Sequence, residues 1–242
     1  MSASIDCSEG ATQSLAGAAA MIAERVVAGA RIWVLAPGLE DHARHLAVEF
    51  VHPASVGARA VPATALAGST VIADLRRHCR AGDVVISLGS AENAFAAELS
   101  VRALAWGASH VHIGWSSSVS VVGLDPRTMF VRVGDVASAE RFLTRAYHLL
   151  WELTFLSAQG KSVAAGSSET GPEATTTSCA VCSDEAVVGE VEQVLAADVA
   201  RVRTGCGPVT VDVSLVDPLC TYDLVLIHAG TAIRRLPVGG ET

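Results

Sequence analysis

Residues 83–88 read DVVISL, an apolar run with a single charged residue at its start. Short runs rich in Val and Ile are typical of strands that are buried on both faces of a sheet. A helical pattern follows over residues 92–106 and stops at Gly107, a residue type that commonly ends helices. Residues 31–36, RIWVLA, form a second run of the same kind. Buried strands that alternate with helices predict a parallel sheet covered by helices on both faces.

This alternation extends over residues 1–157. Helices are predicted at 11–28, 41–51, 71–79 and 137–156, and further strands at 61–64, 110–114 and 129–133. The first part of the chain is therefore expected to form one α/β domain.

The composition changes at residue 158. Residues 158–178 are rich in Ser, Thr, Gly and Ala without a periodic apolar face, which is typical of a flexible linker. Short β segments follow, at 186–194, 199–204, 209–213, 224–228 and 232–236. They predict a small OB-like β-barrel within residues 179–242.

Composition and charge limit the function. Hydrophobic residues make up 50% of the 242 residues, yet no run of roughly 18 uncharged apolar residues could span a membrane. Residues 1–10 lack the basic start and apolar core of a secretory signal, so we expect a cytoplasmic protein without membrane contact. The net charge is −8 and no basic cluster is present, which argues against nucleic-acid binding.

The cysteines are distributed unevenly. There are six, and four of them follow the linker; the full set is Cys7, Cys79, Cys179, Cys182, Cys206 and Cys220. In a reducing compartment we expect free thiols or metal ligands, with chemistry concentrated at the C-x-x-C pair Cys179 and Cys182. The other four are expected to be inert.

Four segments of the α/β domain resemble, in the right order, the SIS family of sugar-phosphate proteins and its phosphoheptose-isomerase branch. They are residues 29–34, 45–50, 81–87 and 147–153. The resemblance implies a dimer or tetramer that pairs through its helices. The last helix carries an apolar face for this purpose, formed by Phe142, Leu143, Ala146, Leu149, Leu150 and Leu153.

The first phosphate-binding turn of that family is altered here. The family uses Ser- and Gly-rich turns before helices, where free N–H groups and the helix dipole attract an anion. This chain has Pro37, which lacks an N–H, followed by Gly38, Glu40 and Asp41. The two carboxylates are expected to cap the helix and to take the electrostatic place of the ligand.

The second turn is only partly kept. It retains Ser87 and Ser90 but gains a carboxylate at Glu92. Both turns thus predict a degenerate pocket that does not bind simple sugar phosphates.

The resemblance also implies an acid–base pair. Glu49 matches the glutamate on an early helix, whereas the Glu-x-His of the last helix is aligned with residues 141–143, RFL. Because proton transfer needs both partners within hydrogen-bond reach, we expect no isomerase activity. Glu49 and His148 are interpreted as structural polar residues.

Residues 179–237 resemble the HypC/HupF hydrogenase-formation chaperones throughout. Residues 179–185 read CAVCSDE and precede the strand AVVGEVE; VDVSLV at 211–216 and YDLVLIHAGTAI at 222–233 match the middle and the end of the family. The resemblance implies a carrier of the iron dicyanide–carbonyl fragment, Fe(CN)2CO, of NiFe hydrogenases. Its implied partners are a HypD-type scaffold protein and the precursor of the hydrogenase large subunit.

The resemblance assigns the iron to a leading cysteine and a late histidine, here Cys179 and His228. A thiolate is a soft, strong ligand for iron, and an imidazole can ligate it or orient the thiolate. Cys182 competes with Cys179 for the first role or completes a chelating pair. A zinc site of four thiols, a redox C-x-x-C and a merely packed His228 are the alternatives.

The sequence therefore predicts a maturation chaperone for NiFe hydrogenases that is not an enzyme. The alternative is a sugar-phosphate-binding or isomerase protein of the SIS family with an accessory barrel.

Overall fold

The computed structural model describes residues 9–53, 59–116, 128–132, 139–165, 186–216 and 218–237. They form a five-stranded parallel sheet with helices and a closed five-stranded barrel. The predicted α/β domain and C-terminal barrel are thus both confirmed. No helix among the described residues is long and apolar enough to cross a membrane.

The α/β unit follows the predicted order of elements. These are α1 (Glu9–Val27), β1 (Ile32–Leu35), α2 (Glu40–Val51), β2 (Ala63–Leu66), α3 (Val71–His78), β3 (Val84–Ser90), α4 (Ala94–Ala105), β4 (Ser109–Trp115), β5 (Thr128–Arg132) and α5 (Ala139–Ala165). The sheet order is β2-β1-β3-β4-β5, with every pair parallel. Chain order therefore reverses between β1 and β3.

Helices cover both faces of this sheet. This is expected, because its strands do not alternate between polar and apolar residues and must be buried on both sides. On β1, Ile32 and Val34 belong to the core formed with α1, α2 and α5, whereas Trp33 and Leu35 belong to the core formed with α3 and α4. The first charged residue of the DVVISL run, Asp83, is buried and fixes the start of the sheet. Its carboxylate accepts hydrogen bonds from the backbone N–H of Arg31 and the indole N–H of Trp33 at 3.0 and 2.9 Å.

The last helix is longer than predicted. α5 runs to Ala165, so residues 158–165 of the expected linker are helical. Ala158, Gln159, Lys161 and the alanines at its end are good helix formers, which explains the extension. Residues 166–178 of that linker lie outside the described residues.

The barrel contains β6 (Val187–Ala196), β7 (Val199–Thr204), β8 (Gly207–Asp212), β9 (Leu224–His228) and β10 (Thr231–Leu236). Its order is β10-β8-β7-β6-β9, and β9 pairs with β10 to close it. Inward-facing side chains form a small apolar core of its own, including Val191, Val202, Val211 and Ile227.

The barrel packs against the outer side of α3 and α4. Leu224 of β9 is fully buried within the core that those two helices share, and Val188 and Leu236 pack against it. The buried carboxylate of Glu190 on β6 pairs with Arg76 of α3 and Arg102 of α4. The layers are therefore helices, sheet, helices and barrel.

Candidate functional site

A crevice of about 320 Å³ opens between the loops that follow β1 and β3. It is lined by Pro37, Gly38, Leu39, Ser87, Leu88, Gly89, Ser90, Asn93, Phe95, Ala96, His112 and Trp115. This is the carboxyl edge of the sheet at the point where strand order reverses, the position where open α/β sheets bind ligands. The volume lies at the lower end of the range for small-molecule pockets, about 300–1,000 Å³.

The first predicted turn behaves differently from expectation. The residue at the N-cap of α2 is Leu39, and no side chain caps that helix. Glu40 instead accepts a hydrogen bond from the backbone N–H of Gly38 at 3.0 Å, which lowers the pKa of its carboxyl group. Asp41 is exposed and pairs with Arg44. The expected capping was wrong, because the first turn of α2 directs one carboxylate back to the loop and the other into solvent.

The second predicted turn supplies most of the polar lining. Ser87, Ser90 and Asn93 reach the crevice, and the Asn93 side chain caps α4 by accepting from the N–H of Phe95 at 3.0 Å. Glu92 does not line the crevice; its carboxylate accepts a hydrogen bond from Ser116 at 3.2 Å. The second turn is therefore open to a ligand on its serine side.

A buried pair of histidines on β4 was missed by the sequence argument. His110 and His112 both face the Ser87 hydroxyl, whose oxygen lies 2.8 Å from Nε2 of the first and 2.7 Å from Nδ1 of the second. Burial lowers the pKa of His110 to about 3 and of His112 to about 4, so both rings are neutral near pH 7. The signal was the spacing His-x-His in a strand, which places both rings on one face.

A second polar cluster lies between α2 and α5. Glu49 Oε1 is 3.1 Å from His45 Nε2 and 3.6 Å from His148 Nε2. The ligand atoms of all three residues lie within 4.8 Å of one another. A carboxylate between two imidazoles suits proton transfer, and the same donor set is one that zinc accepts.

The packing of α2 against α5 holds this cluster in place. The indole N–H of Trp151 donates to the backbone carbonyl of Glu49 at 2.7 Å. One turn before His45, His42 Nδ1 lies 3.3 Å from the hydroxyl of Tyr147. The resemblance to the SIS family aligns the expected imidazole with residues 141–143. In the structure, the imidazole of α5 that lies near Glu49 is that of His148, further along the helix. An imidazole thus lies near Glu49, and the expected absence of isomerase activity stays a prediction.

The predicted iron ligands are only partly described. His228 is the last residue of β9, half-buried and just before the turn at Ala229 and Gly230. Cys179 and Cys182 lie outside the described residues, so their role as iron ligands together with His228 stays a prediction.

Three of the cysteines expected to be inert are described, and they are free. Cys79 is buried, which raises the pKa of its thiol to about 12, whereas Cys206 and Cys220 are exposed. Cys7 lies outside the described residues.

No protein-family model and no curated protein matches the chain, and no match to the HypC/HupF family was found. Among solved structures, the chain is similar to a phosphoheptose isomerase from Francisella tularensis (16% identity, TM-score 0.45, 61% of this chain and 92% of that one). It is also similar to the C-terminal domain of a glucosamine-fructose-6-phosphate aminotransferase from the same organism (15%, 0.44, 62% and 42%). A third is a Listeria monocytogenes protein assigned as a sugar-phosphate isomerase (12%, 0.41, 62% and 78%).

Proposed function

We propose that the α/β domain binds a small phosphorylated sugar. The observation that carries this proposal is the crevice at the reversal of strand order, with Ser87, Ser90 and Asn93 in its wall. Hydroxyl and amide groups are the natural partners of a polyhydroxylated ligand. The sequence also resembles the SIS family, which implies a sugar phosphate as the ligand. The parallel sheet that this resemblance predicts is present.

Glu49 and His148, which lie between α2 and α5 and are not among the residues that line the crevice, add acid–base groups of the isomerase type to the proposal. Isomerisation between an aldose and a ketose moves a proton, which a carboxylate and an imidazole on facing helices can accept and return. Groups placed in this way contribute about 10²–10⁴-fold to such reactions. The contact of Glu49 with two imidazoles supports this role for the cluster.

Calorimetry and an isomerisation assay with sedoheptulose 7-phosphate test both parts. We expect micromolar to millimolar binding by the wild type, and loss of turnover by at least about 100-fold in Glu49→Gln and His148→Gln. His52→Gln is the matched control, because His52 is an exposed imidazole at the C-cap of α2. Absence of binding contradicts the proposal, and binding with no turnover restricts it to a sensor or carrier.

A second candidate function belongs to the barrel, namely delivery of Fe(CN)2CO to the large-subunit precursor of a NiFe hydrogenase with a HypD-type partner. The specific observation in its favour is that, among the segments resembling HypC/HupF, those within the described residues belong to a closed barrel with His228 at the end of β9.

Maturation of a hydrogenase in a chaperone-deleted host tests this candidate. Cys179→Ala is expected to abolish maturation and His228→Ala to weaken it, whereas Cys206→Ala and Cys220→Ala are expected to be nearly silent. A structural zinc site predicts instead that all four cysteine changes unfold the barrel. A Cys179→Ala/Cys182→Ala double variant that still matures the hydrogenase would rule the candidate out.

A further inference from the structure

Two imidazoles of the cluster between α2 and α5 approach the same carboxylate oxygen. Nε2 of His45 lies 3.1 Å from Oε1 of Glu49, which is a hydrogen-bond distance, whereas Nε2 of His148 lies 3.6 Å from it, which is too far for one. The side chains of His45, His148 and Glu49 are 48%, 37% and 22% exposed, so all three are open to a small molecule. The two histidines therefore differ in their contact with Glu49.

The position of the ring hydrogen of His148 follows from its own helix. Nδ1 lies 2.7 Å from the backbone carbonyl oxygen of Thr144, one turn earlier in α5. A carbonyl oxygen only accepts hydrogen bonds, and a neutral imidazole carries one ring hydrogen, so that hydrogen is on Nδ1. Nε2 of the neutral ring is then a lone pair that faces Glu49 without a hydrogen between them.

His45 has the opposite role toward the same oxygen. An ionised carboxylate only accepts, so the 3.1 Å contact requires a hydrogen on Nε2 of His45. His45 precedes Glu49 by one turn of α2, and their hydrogen bond holds the carboxylate in place against its own helix. The His45 ring also meets the rings of Tyr147 and His148 edge-on, with centroids 5.8 and 5.0 Å away. His45 is thus held in place as a donor to Glu49.

We propose that His45 is a positioning residue, which keeps the Glu49 carboxylate in place for the proposed isomerisation. The Thr144 carbonyl sets the tautomer of His148 and so leaves Nε2 of that ring as the atom that takes a proton from the ligand. The inference rests on the proposed function, because it gives separate roles to the groups around the acid–base pair named there. In the transfer, the bond between the ligand and hydrogen breaks and leaves its electron pair on the ligand, while an N–H bond forms at Nε2. Return of the proton restores the neutral ring, so the step consumes no other reactant.

Nitrogen-15 NMR of the histidine side chains tests the tautomer without any turnover. The full chain is dialysed against EDTA and measured at about pH 8.5, roughly two units above the pKa of an ordinary imidazole. We expect Nδ1 of His148 to carry the hydrogen and Nε2 to lack it. The exposed His52 is expected to show the reverse, which is the tautomer that a free imidazole side chain prefers. A hydrogen on Nε2 of His148 overturns the proposal.

Two substitutions of His45 separate donation from packing. His45→Ala removes the donor at an exposed helix position, whereas the side-chain amide in His45→Gln places an N–H near the position of Nε2. With sedoheptulose 7-phosphate, we expect kcat to fall about tenfold in His45→Ala, the value of one hydrogen bond, with little change in KM. His45→Gln should regain most of the rate, and His52→Ala is the matched control with an unchanged rate. A wild-type kcat in His45→Ala, or an equal loss in His45→Gln, refutes the positioning role.

The Glu49 carboxylate gives a readout that does not depend on the isomerase reaction. We expect its carbon-13 resonance to shift in His45→Ala and to stay close to the wild type in His45→Gln. A resonance that is unchanged in His45→Ala contradicts the hydrogen bond from His45. A wild type that shows this shift and the expected His148 tautomer, but no turnover, refutes the proposed isomerase function alone.

Discussion

At the residue scale, one buried carboxylate pairs with two arginines of the α/β unit. Glu190 of the barrel has a side chain that is 3% exposed. It forms ion pairs with Arg76 and Arg102, which belong to the α/β unit. Arg102 also donates to Glu98 and to the backbone carbonyl of Tyr222. Removing the charge of Glu190 is therefore expected to cost stability, because Arg102 would remain buried without this counter-charge.

Neutralising that carboxylate should destabilise the whole chain. Glu190→Gln leaves the buried guanidinium group of Arg102 and the partly buried one of Arg76 without their shared counter-charge, and we expect the free energy of unfolding to fall by about 3–5 kcal/mol. Urea unfolding measures the change. Glu192→Gln is the matched control on the same strand: its pair with Arg201 is 41% and 54% exposed, and such pairs contribute about 0–1 kcal/mol. Equal losses in the two variants would contradict the buried ion pair.

The two neutral histidines predict a pH dependence of stability. Burial holds the pKa of His110 at about 3 and of His112 at about 4, whereas both groups titrate near 6.5 when the chain is unfolded. Below about pH 6.5 the unfolded state binds protons that the folded state refuses, so the free energy of unfolding falls as the pH decreases toward 4. Each ring contributes a slope of about 1.4 kcal/mol per pH unit within that window.

Urea unfolding between pH 7 and pH 5 measures this slope. Carboxylates contribute to it as well, so the wild type is compared with His110→Asn. The variant should be less stable at pH 7, because the hydrogen bond between Nε2 of His110 and Ser87 is lost, but its stability should depend less on pH. An unchanged slope would show that His110 is protonated in the folded protein at these pH values.

At the scale of elements, α4 connects the crevice with the barrel. Its N-cap Asn93 lines the crevice, Ser100 makes a hydrogen bond with a buried histidine of β4, and Arg102 in its last turn contacts the barrel. By contrast, α2 and α5 carry the cluster around Glu49, and α3 carries Arg76, which contacts the barrel.

The cap of α4 gives a test of this element. Asn93→Ala removes the acceptor for the N–H of Phe95, and we expect it to lower the free energy of unfolding by about 1 kcal/mol. Asn93→Asp keeps an acceptor and adds a negative charge at the helix N-terminus, so it should remain within a few tenths of a kcal/mol of the wild type. Equal stability of all three proteins in urea would show that the cap bond is not made in solution.

At the scale of the molecule, the barrel and the α/β unit share an apolar core. Leu224 is fully buried against α3 and α4, and Arg203 of β7 donates to the carbonyls of Arg76 and Cys79 at the end of α3. Conversely, most of the apolar face of α5 that was expected to pair with a second subunit packs inside this chain; of its six residues, Leu149 is exposed. Dimerisation through that helix stays a prediction.

Because of the shared core, we expect the full chain to unfold in one thermal transition despite its two units. Differential scanning calorimetry should show a single peak with equal calorimetric and van't Hoff enthalpies. Leu224→Ala removes side-chain contacts from the shared core without adding a charge, and it should lower the midpoint or split the peak. Two well-separated peaks in the wild type would show that the units are independent, as a long flexible linker alone would suggest.

The sequence by itself determined the elements and their classes. Apolar runs such as residues 83–88, the glycines that end helices and the change of period after the linker are local signals, and the strands and helices of both units follow them closely. The resemblance to the SIS family also pointed to Ser87 and Ser90, which lie in the last part of β3 and line the crevice.

Only the tertiary structure decided which polar groups meet. Glu49 and His148 are about a hundred residues apart, as are Arg102 and Glu190, whose separation is 88 residues. A repeating pattern reports which face a side chain occupies but not which distant element covers that face. The helices α2 and α5 bring the first pair together and the docking of the barrel on α4 brings the second, because burial of apolar surface is non-directional and fixes these neighbours only once the whole chain is packed.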